Sequence, residues 1–223
     1  MRKIFPISVR KMFRVNRVVK FFVLSDFMFL GGWGLVAPIF AIFVVRDVAG
    51  ATILTVGALA AVYWFVNALT QLPVALYLDK KEGERDDFHA LIFSLLLSGF
   101  ASFSFLVADT VPLLFLVVFL KAVAFGFYTP SWCAIFSRHL DRKRRAFDWS
   151  LDSTSVSVAS GIAGLFGGVL ANFFGFQSVF LFTGALSFGS VMLLLAVPHL
   201  VLPSPISPKK GAFRDHTPRT IQH

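Results

Sequence analysis

Lys121 is the residue that points most directly to chemistry in this chain. It lies within an otherwise uncharged stretch, Val111 to Phe136, whose 26 residues can cross a bilayer as a helix. A positive charge at that depth costs from roughly 2.5 to more than 10 kcal/mol, and ionisable residues in such places mark binding sites or proton pathways. A buried lysine can also release its proton, which an arginine rarely does. Lys121 is therefore a candidate for binding a solute or exchanging a proton.

Asp26 is the carboxylate best suited to pair with Lys121, because it falls inside another apolar stretch, Phe21 to Val45. With ~1.5 Å of rise per residue, the two positions differ in depth by about 10 Å. A direct salt bridge then requires helix tilt or a shifted boundary, and a pair bridged by water in a cavity is easier. The alternative places Asp26 at the level of the headgroups. Asp152 is interpreted as an acid in the first turn of its helix, where the helix dipole favours negative charge.

The stretches that carry these residues predict an all-α polytopic membrane protein. Hydrophobic residues make up 57% of the 223-residue chain and charged residues only 15%, which is far from the balance of a soluble domain. Each stretch has roughly the 20 residues that a helix needs to cross about 30 Å of hydrocarbon, whereas barrel strands would be near 10 residues long. The six predicted spans are Phe21 to Val45, Ile53 to Leu78, Phe88 to Ala108, Val111 to Phe136, Leu151 to Phe174 and Ser178 to Val197.

Basic residues indicate the orientation of these spans. Lys and Arg in short loops mark the cytoplasmic side of a membrane protein. Of the 21 basic residues, 19 fall on one face, in the N-terminal segment, the loops after the second and fourth spans, and the tail. Only Arg46 lies on the other face, and Lys121 lies within the membrane. Both termini are therefore predicted to be cytoplasmic.

The same distribution accounts for the formal net charge of +9, so a nucleic-acid partner is not needed to explain it. The charge is topological and attracts anionic lipid headgroups, at about 1 kcal/mol per basic residue near the surface. The chain divides into a basic cytoplasmic or interfacial segment at residues 1–20, a six-helix transmembrane domain at 21–197, and a basic tail at 198–223 that we expect to be disordered. The single Cys133 allows no intramolecular disulfide, and no cofactor or metal site is expected.

Small residues at four-residue spacing predict close packing of the fifth span. Gly164 and Gly168 continue one stripe from Ser160. Gly167 lies four residues after Ala163 on a second stripe. Such patterns let helix backbones approach each other in lipid. Two adjacent stripes indicate neighbours on more than one side.

The first and fourth spans share a short pattern. Gly34 and Pro38 are followed by Ala-Ile-Phe in the first span, and the same three residues follow Gly126 and Pro130 in the fourth. Because the first span runs outward and the fourth inward, the pattern predicts two three-helix units related by an inverted repeat, as in many transporters. Proline removes a backbone donor, so both helices should be weakened at matched places.

These features resemble the N-terminal six-helix half of the major facilitator superfamily of secondary transporters, over roughly Ser25 to Val197. The best section is the glycine-rich run from Gly161 to Leu186, which is similar to that family's fifth helix, outer turn and sixth-helix start. The loop after the second span is similar to the family's signature loop, although Ala75 replaces the usual glycine and Gly83 comes one residue late. Lys121 stands where the family's fourth helix usually has an arginine.

The resemblance implies roles for helices and for particular residues. In this family the first and fourth helices line a central cavity, the second and fifth form the contact between halves, and the third and sixth face lipid. The solute or proton pathway so implied contains Asp26, Trp33, Lys121, Tyr128 and Trp132. The signature loop looks like a conformational latch, with a solvated turn as the alternative. The residues of this loop are Asp79, Lys80, Gly83 and Arg85.

A chain equivalent to one half can rebuild a full transporter as a parallel homodimer with the cavity on its axis. We therefore expect a multi-pass protein of the plasma membrane, of the prokaryotic cytoplasmic type, that moves a small solute by alternating access, with proton coupling as one option. The alternatives are a non-transporting membrane binding or assembly protein and a fragment of a transporter. An enzyme is not expected, because no His lies mid-span and no nucleophile or metal-ligand cluster is visible.

Overall fold

The structure is a computed structural model that describes residues 16–80, 84–141 and 144–196. In this part of the chain there are seven α-helices and one 3-10 turn, and no named strand. The helices are Arg17–Val36, Phe40–Asp47, Ile53–Asp79, Arg85–Ser104, Val111–His139, Arg145–Phe174 and Phe176–Leu195. The 3-10 turn, Phe105–Val107, extends the third span, and Phe40–Asp47 continues the first.

Six helices are long and apolar enough to cross a membrane, which confirms the six predicted spans. The first begins at Arg17, inside the segment 1–20 that the sequence assigned to the cytoplasm or interface. The fifth begins at Arg145 rather than at Leu151, so the interpretation of Asp152 as a first-turn acid is wrong. Asp152 lies about two turns inside the helix. Residues 1–15 and the predicted tail at 198–223 lie outside the described residues.

Only one of the two matched prolines interrupts its helix. The first span leaves helical geometry over residues 37–39, around Pro38, before the short helix at Phe40–Asp47 begins. Pro130 lies inside the continuous helix Val111–His139. The two prolines therefore differ in effect: a break in the helix accompanies Pro38, whereas Pro130 removes a backbone donor within a helix that stays continuous. A transmembrane helix can keep an internal proline because neighbouring groups satisfy the freed backbone carbonyl.

The helices pack in a pattern that is symmetric between the two halves of the chain. The first span packs against the fifth and sixth, and the fourth packs against the second and third. The third and sixth spans pack against each other. Exchanging spans one, two and three for four, five and six leaves this set of neighbours unchanged. Since successive spans alternate in direction, the symmetry is that of an inverted repeat.

Gly34 and Gly126 occupy equivalent places in this repeat, which gives the shared pattern a physical basis. A Cβ atom on Gly34 would come within 2.9 Å of the Ser160 Cα in the fifth span. A Cβ atom on Gly126 would come within 2.5 Å of the Thr70 Cβ in the second span. Each glycine therefore marks a place where a central span closely approaches its neighbour, and a larger residue would separate the two helices there.

The two glycine stripes of the fifth span differ in what they contact. A Cβ atom on Gly167 would overlap the backbone carbonyl of Leu35 in the first span. One on Gly164 would reach only the Pro38 ring, at 3.8 Å. One on Gly168 would meet nothing within 4 Å in the described chain, so the packing role predicted for this glycine is not seen there. The stripe through Gly167 packs the first span, and Gly168 leaves an open surface.

Hydrogen bonds between small polar residues join the first, third and sixth spans. The Ser25 and Ser190 hydroxyls lie 2.6 Å apart, and the Thr183 hydroxyl donates to the Gly32 carbonyl at 2.8 Å. The Ser102 hydroxyl donates to the Phe180 carbonyl at 2.8 Å. Bonds of this type contribute roughly 0.6 kcal/mol each on average in a membrane protein, so they fix orientation more than they add stability.

The difference between Gly167 and Gly168 gives a matched test of the packing. Gly167→Ala should lower the free energy of unfolding by ~1–3 kcal/mol, because the added methyl group overpacks the contact with Leu35. Gly168→Ala should leave stability unchanged or raise it by up to ~1 kcal/mol, because alanine is the better helix former and its methyl group meets open space. Thermal unfolding in detergent measures both variants. Equal melting temperatures would contradict the packing described.

Candidate functional site

The first and fourth spans run antiparallel, and their facing residues form three successive layers, here called the seam. From the side predicted to be cytoplasmic outward, the pairs are Asp26 with Tyr128, Phe29 with Phe125, and Trp33 with Lys121. The spacing along one helix matches the spacing along the other, as a single antiparallel register requires. Seven residues on each helix, or about 10 Å along the axis, separate the inner and outer layers.

The inner layer is a buried polar cluster. Asp26 is 2% exposed and accepts a hydrogen bond from the Tyr128 hydroxyl. The Trp132 indole, one turn along the fourth span, is directed at Asp26, but its Nε1 makes no hydrogen bond of regular geometry in the described part of the chain. Asp152 of the fifth span lies within electrostatic range of Asp26, and its Oδ1 also has no hydrogen-bond partner there. The cluster thus joins three spans through groups that can hold a proton or donate a hydrogen bond.

The outer layer places the Lys121 ammonium among aromatic rings. Its Nζ lies 3.9 Å from the centroid of the Trp33 ring and 5.2 Å from that of the Tyr63 ring. The rings of Phe125 and Phe40 follow at 5.9 and 6.0 Å. A cation within about 6 Å of a ring face is attracted by the quadrupole of the ring. We refer to these four rings as the cage of Lys121.

The third span fixes the orientation of Trp33, the nearest ring of the cage. The Trp33 Nε1 donates a hydrogen bond to the Ser98 hydroxyl at 2.8 Å, and both residues are buried. The ring also makes edge contacts with Phe105 and Phe125. Tyr63, from the second span, meets the Phe125 ring edge-on at 6.0 Å. The cage is therefore assembled by several spans and presents fixed ring faces to Lys121.

Asp26 and Lys121, considered as a pair from the sequence, make no contact in this structure. They lie in different layers of the seam, and the Phe29 and Phe125 rings, stacked with centroids 5.3 Å apart, lie between those layers. Within the described residues no carboxylate forms an ion pair with Lys121. All five residues of the implied pathway nevertheless belong to the seam or border it. The aromatic cage was missed because Phe40, Tyr63 and Phe125 do not stand out in a chain with 28 phenylalanines.

The loop interpreted as a latch is only partly described. Asp79 ends the second span, Lys80 follows it, and Arg85 begins the third span, all with exposed side chains. Gly83 lies outside the described residues. Asp79 lies within electrostatic range of Asp87, in the first turn of the third span.

A buried carboxylate beside the loop takes part in charge pairing at this end of the protein. Arg138, near the end of the fourth span, forms an ion pair with Asp87, whose side chain is 1% exposed. His139 Nε2 lies 3.7 Å from the Glu84 carboxylate. These contacts tie the third span to the fourth at their cytoplasmic ends. Asp87 was missed because it reads as an ordinary acid at a helix start.

The second and fifth spans have the least covered surfaces. Of the most apolar 18 residues in each span, 11% are buried in the second and 17% in the fifth, against 39–61% in the other four. Trp64, Phe65 and Leu69 of the second span and Leu165 of the fifth are each more than half exposed. Both spans have one side that packs on the helix bundle and one side that no described residue covers.

The ion pair between Asp87 and Arg138 can be tested by a double-mutant cycle. Arg138→Gln alone should lower the free energy of unfolding by ~3–5 kcal/mol, because it leaves the buried Asp87 carboxylate without its counter-ion. The double variant Asp87→Asn with Arg138→Gln should lose less than Arg138→Gln alone, since no buried charge remains unpaired. Chemical unfolding in detergent measures the cycle. Losses that simply add would show that the two residues do not act together.

Comparison with known proteins agrees with this arrangement. The model of the Major Facilitator Superfamily matches residues 22–221. Among solved structures, the crystal structure of the POT family transporter PepTSo is similar, with a TM-score of 0.67 at 14% sequence identity. The match covers 88% of this chain and 40% of that one, so this chain spans less than half the length of that transporter. No curated protein matches the chain.

The family match extends over all six spans, and the structural match shows the same fold. The family match points to a multi-pass membrane protein of the transporter class rather than to an enzyme. The chain belongs to the Major Facilitator Superfamily of secondary transporters.

Proposed function

We propose that this chain is one six-helix unit of a secondary transporter that moves a small anionic solute, and that Lys121 binds the anionic group. The proposal rests on one observation above all. Lys121 is half-buried, and its ammonium lies among four rings with no carboxylate partner in the described residues. Its positive charge is therefore available to a ligand.

The free-energy cost of placing the Lys121 charge in the membrane supports a site that is completed by its ligand. A desolvated cation–π contact contributes about 2 kcal/mol. A lysine at the centre of a span costs from roughly 2.5 to more than 10 kcal/mol. The cage therefore offsets only part of the cost of the charge, and an anionic group that forms a charge-assisted hydrogen bond with Nζ offsets more.

The surroundings of Lys121 also suggest the rest of the solute. The walls next to the ammonium are the rings of Trp33, Phe40, Tyr63 and Phe125, which favour an apolar or aromatic body. Small monocarboxylates with an apolar body, such as benzoate, combine these two properties. We take this chemical class as the substrate class of the site.

Alternating access needs a second six-helix unit, and the uncovered sides of the second and fifth spans support a place for it. Both sides are apolar, and the fifth span has open space at Gly161 and Gly168. Small residues on such a surface allow another helix to approach closely in lipid. A second copy of this chain, parallel to the first, is our candidate for that unit, and the cavity would then lie between the seams of the two copies. We infer that the assembly lies in a plasma membrane of the prokaryotic type, and the positive-inside rule favours the cytoplasmic side for its basic loops.

Uptake by proteoliposomes tests the role of Lys121. We expect the wild-type chain to take up radiolabelled benzoate in preference to a primary amine or a neutral sugar. Lys121→Gln should reduce benzoate uptake at least about tenfold, because a hydrogen bond to a charged group contributes ~1.5–3 kcal/mol. Lys121→Arg keeps the charge and should retain part of the activity.

Arg46→Gln is the matched control, because Arg46 is a basic residue exposed on the outer face. Benzoate uptake by this variant should equal that of the wild type. Wild-type uptake by Lys121→Gln would remove Lys121 from the mechanism. The absence of any flux from a folded chain would favour a non-transporting binding or assembly protein.

The proposed second copy predicts a dimer in the membrane. Native mass spectrometry from nanodiscs should detect twice the mass of one chain. Replacing Gly168 by Trp should reduce the dimer fraction without unfolding the chain, because an added Cβ at this position meets open space and the bulky ring would occupy the proposed contact surface. A purely monomeric wild-type chain would contradict the dimer, and the partner would then have to be a different six-helix unit.

A further inference from the structure

We propose that the cage of Lys121 is a binding site for a primary ammonium group, and that the Lys121 side chain fills this site from within. The cage consists of the rings of Trp33, Phe40, Tyr63 and Phe125. An alkylammonium ion from solution should therefore bind in the cage once the Lys121 side chain has been removed. This ligand is opposite in charge to the solute proposed above, and its binding can be measured without any transport.

The first support is the origin of the rings that surround the Lys121 nitrogen. Phe125 lies four residues after Lys121 on the fourth span, so helix periodicity alone brings this ring close. The other three rings come from elsewhere, Tyr63 from the second span and Trp33 and Phe40 from the first span and its continuation. All four centroids lie within the distance of about 6 Å at which a ring attracts a cation. The tertiary structure therefore assembles the cage around one ammonium group.

The second support is the type of the two nearest rings. Trp33 and Tyr63 have their ring centroids 3.9 and 5.2 Å from the Lys121 Nζ. The chain contains only four tryptophans and three tyrosines, so its abundance of phenylalanine does not account for these two neighbours. Tryptophan is also the side chain whose ring attracts a cation most strongly. The ring nearest to the ammonium is thus the one best suited to bind it.

The cage is braced by contacts that do not involve Lys121, so it should persist without that side chain. The Trp33 Nε1 donates a hydrogen bond to the Ser98 hydroxyl at 2.8 Å. The buried ring of Phe105 meets the rings of Trp33 and Phe40 edge-on, with centroids 6.4 and 5.7 Å apart. A site that is ordered before its ligand arrives binds without the entropic cost of assembling its walls. The rings are therefore placed to accept an ammonium group that is not attached to the chain.

The atoms of the lysine side chain define a matching ligand. Lysine carries its ammonium on a four-carbon stem, and alanine keeps the first of these carbons. Lys121→Ala therefore removes a propylammonium group, which n-propylammonium can replace atom for atom. Within the described residues no carboxylate forms an ion pair with Lys121, so the rings are the groups that attract the ion. The alcohol n-propanol has nearly the same shape without the charge.

The occupied cage gives the site its charge preference, a consequence that rests on the transport function proposed above. While Lys121 fills the cage, a second ammonium ion meets both an occupied space and a like charge. An anionic group meets the opposite charge and can accept a hydrogen bond from Nζ. One side chain thus excludes cations from the site and attracts anions to it.

Thermal unfolding of the full chain in detergent, at constant ionic strength, tests the cation site without any solute. The melting temperature of Lys121→Ala should be about 3–6 °C higher in n-propylammonium chloride than in sodium chloride, with the ion at about ten times its dissociation constant. The same concentration of n-propanol should give no such rise, because the rings attract the charge. The wild-type chain should melt at the same temperature in both salts, because Lys121 already fills the cage.

Ring variants in the Lys121→Ala background locate the bound ion. Trp33→Leu should abolish the rise in melting temperature, because it removes the nearest ring. Tyr63→Leu leaves the bond between Trp33 and Ser98 in place and should weaken binding of the ion about two- to fivefold. Trp64→Leu is the matched control, because this neighbouring ring is 67% exposed and lies outside the cage, and it should keep the full rise.

A folded Lys121→Ala chain that is not stabilised by n-propylammonium would overturn the proposal. An equal rise in the wild type, or a rise that both Trp33→Leu and Tyr63→Leu leave unchanged, would also overturn it. The expected pattern in a protein whose wild type takes up no benzoate would support the cation site and would remove the proposed solute.

Discussion

The arrangement of this protein depends on the antiparallel contact between the first and fourth spans. That contact aligns Asp26 with Tyr128, Phe29 with Phe125, and Trp33 with Lys121 in one register. A shift by one helical turn would move the ammonium away from the Trp33 ring by about 5.4 Å and would break the bond between Tyr128 and Asp26. The other spans hold this register in place. The fifth and sixth pack on the first, and the second and third pack on the fourth.

Separation of charges is the main electrostatic consequence of the register. A lysine and an aspartate on neighbouring apolar helices would be expected to form an ion pair, which would neutralise both. Here two turns of helix and a pair of stacked rings lie between them. Each group is stabilised locally, by rings at Lys121 and by a tyrosine hydroxyl at Asp26. Neither local arrangement compensates fully for burial of the charge. The charges of the seam are therefore only partly compensated by the described residues around them.

The sequence was sufficient for the fold but only partly sufficient for the site. The number of spans and the inverted repeat follow from hydropathy and from the glycines at 34 and 126, because a bilayer restricts the backbone so strongly. The orientation read from the loop charges stays a prediction. The location of Lys121 was also clear from its charge alone. The rings around Lys121 could not be identified from the sequence, because Phe40, Tyr63 and Phe125 belong to different spans. Only the rotation of each helix in the folded chain brings these rings together. Asp152 was misread because the apolar stretch starts at Leu151, whereas the polar turns from Arg145 onward are already helical.

The register of the seam can be measured directly in membranes. In a Cys133→Ala background, Phe29→Cys combined with Phe125→Cys should be joined by a short bifunctional thiol reagent, because the two rings share a layer. Phe29→Cys combined with Val118→Cys should not be joined, because position 118 lies two turns further out on the fourth span. Efficient cross-linking of the first pair alone is the result that this register requires. Equal cross-linking of both pairs, or cross-linking of the second pair alone, would contradict the separation of the lysine and aspartate layers.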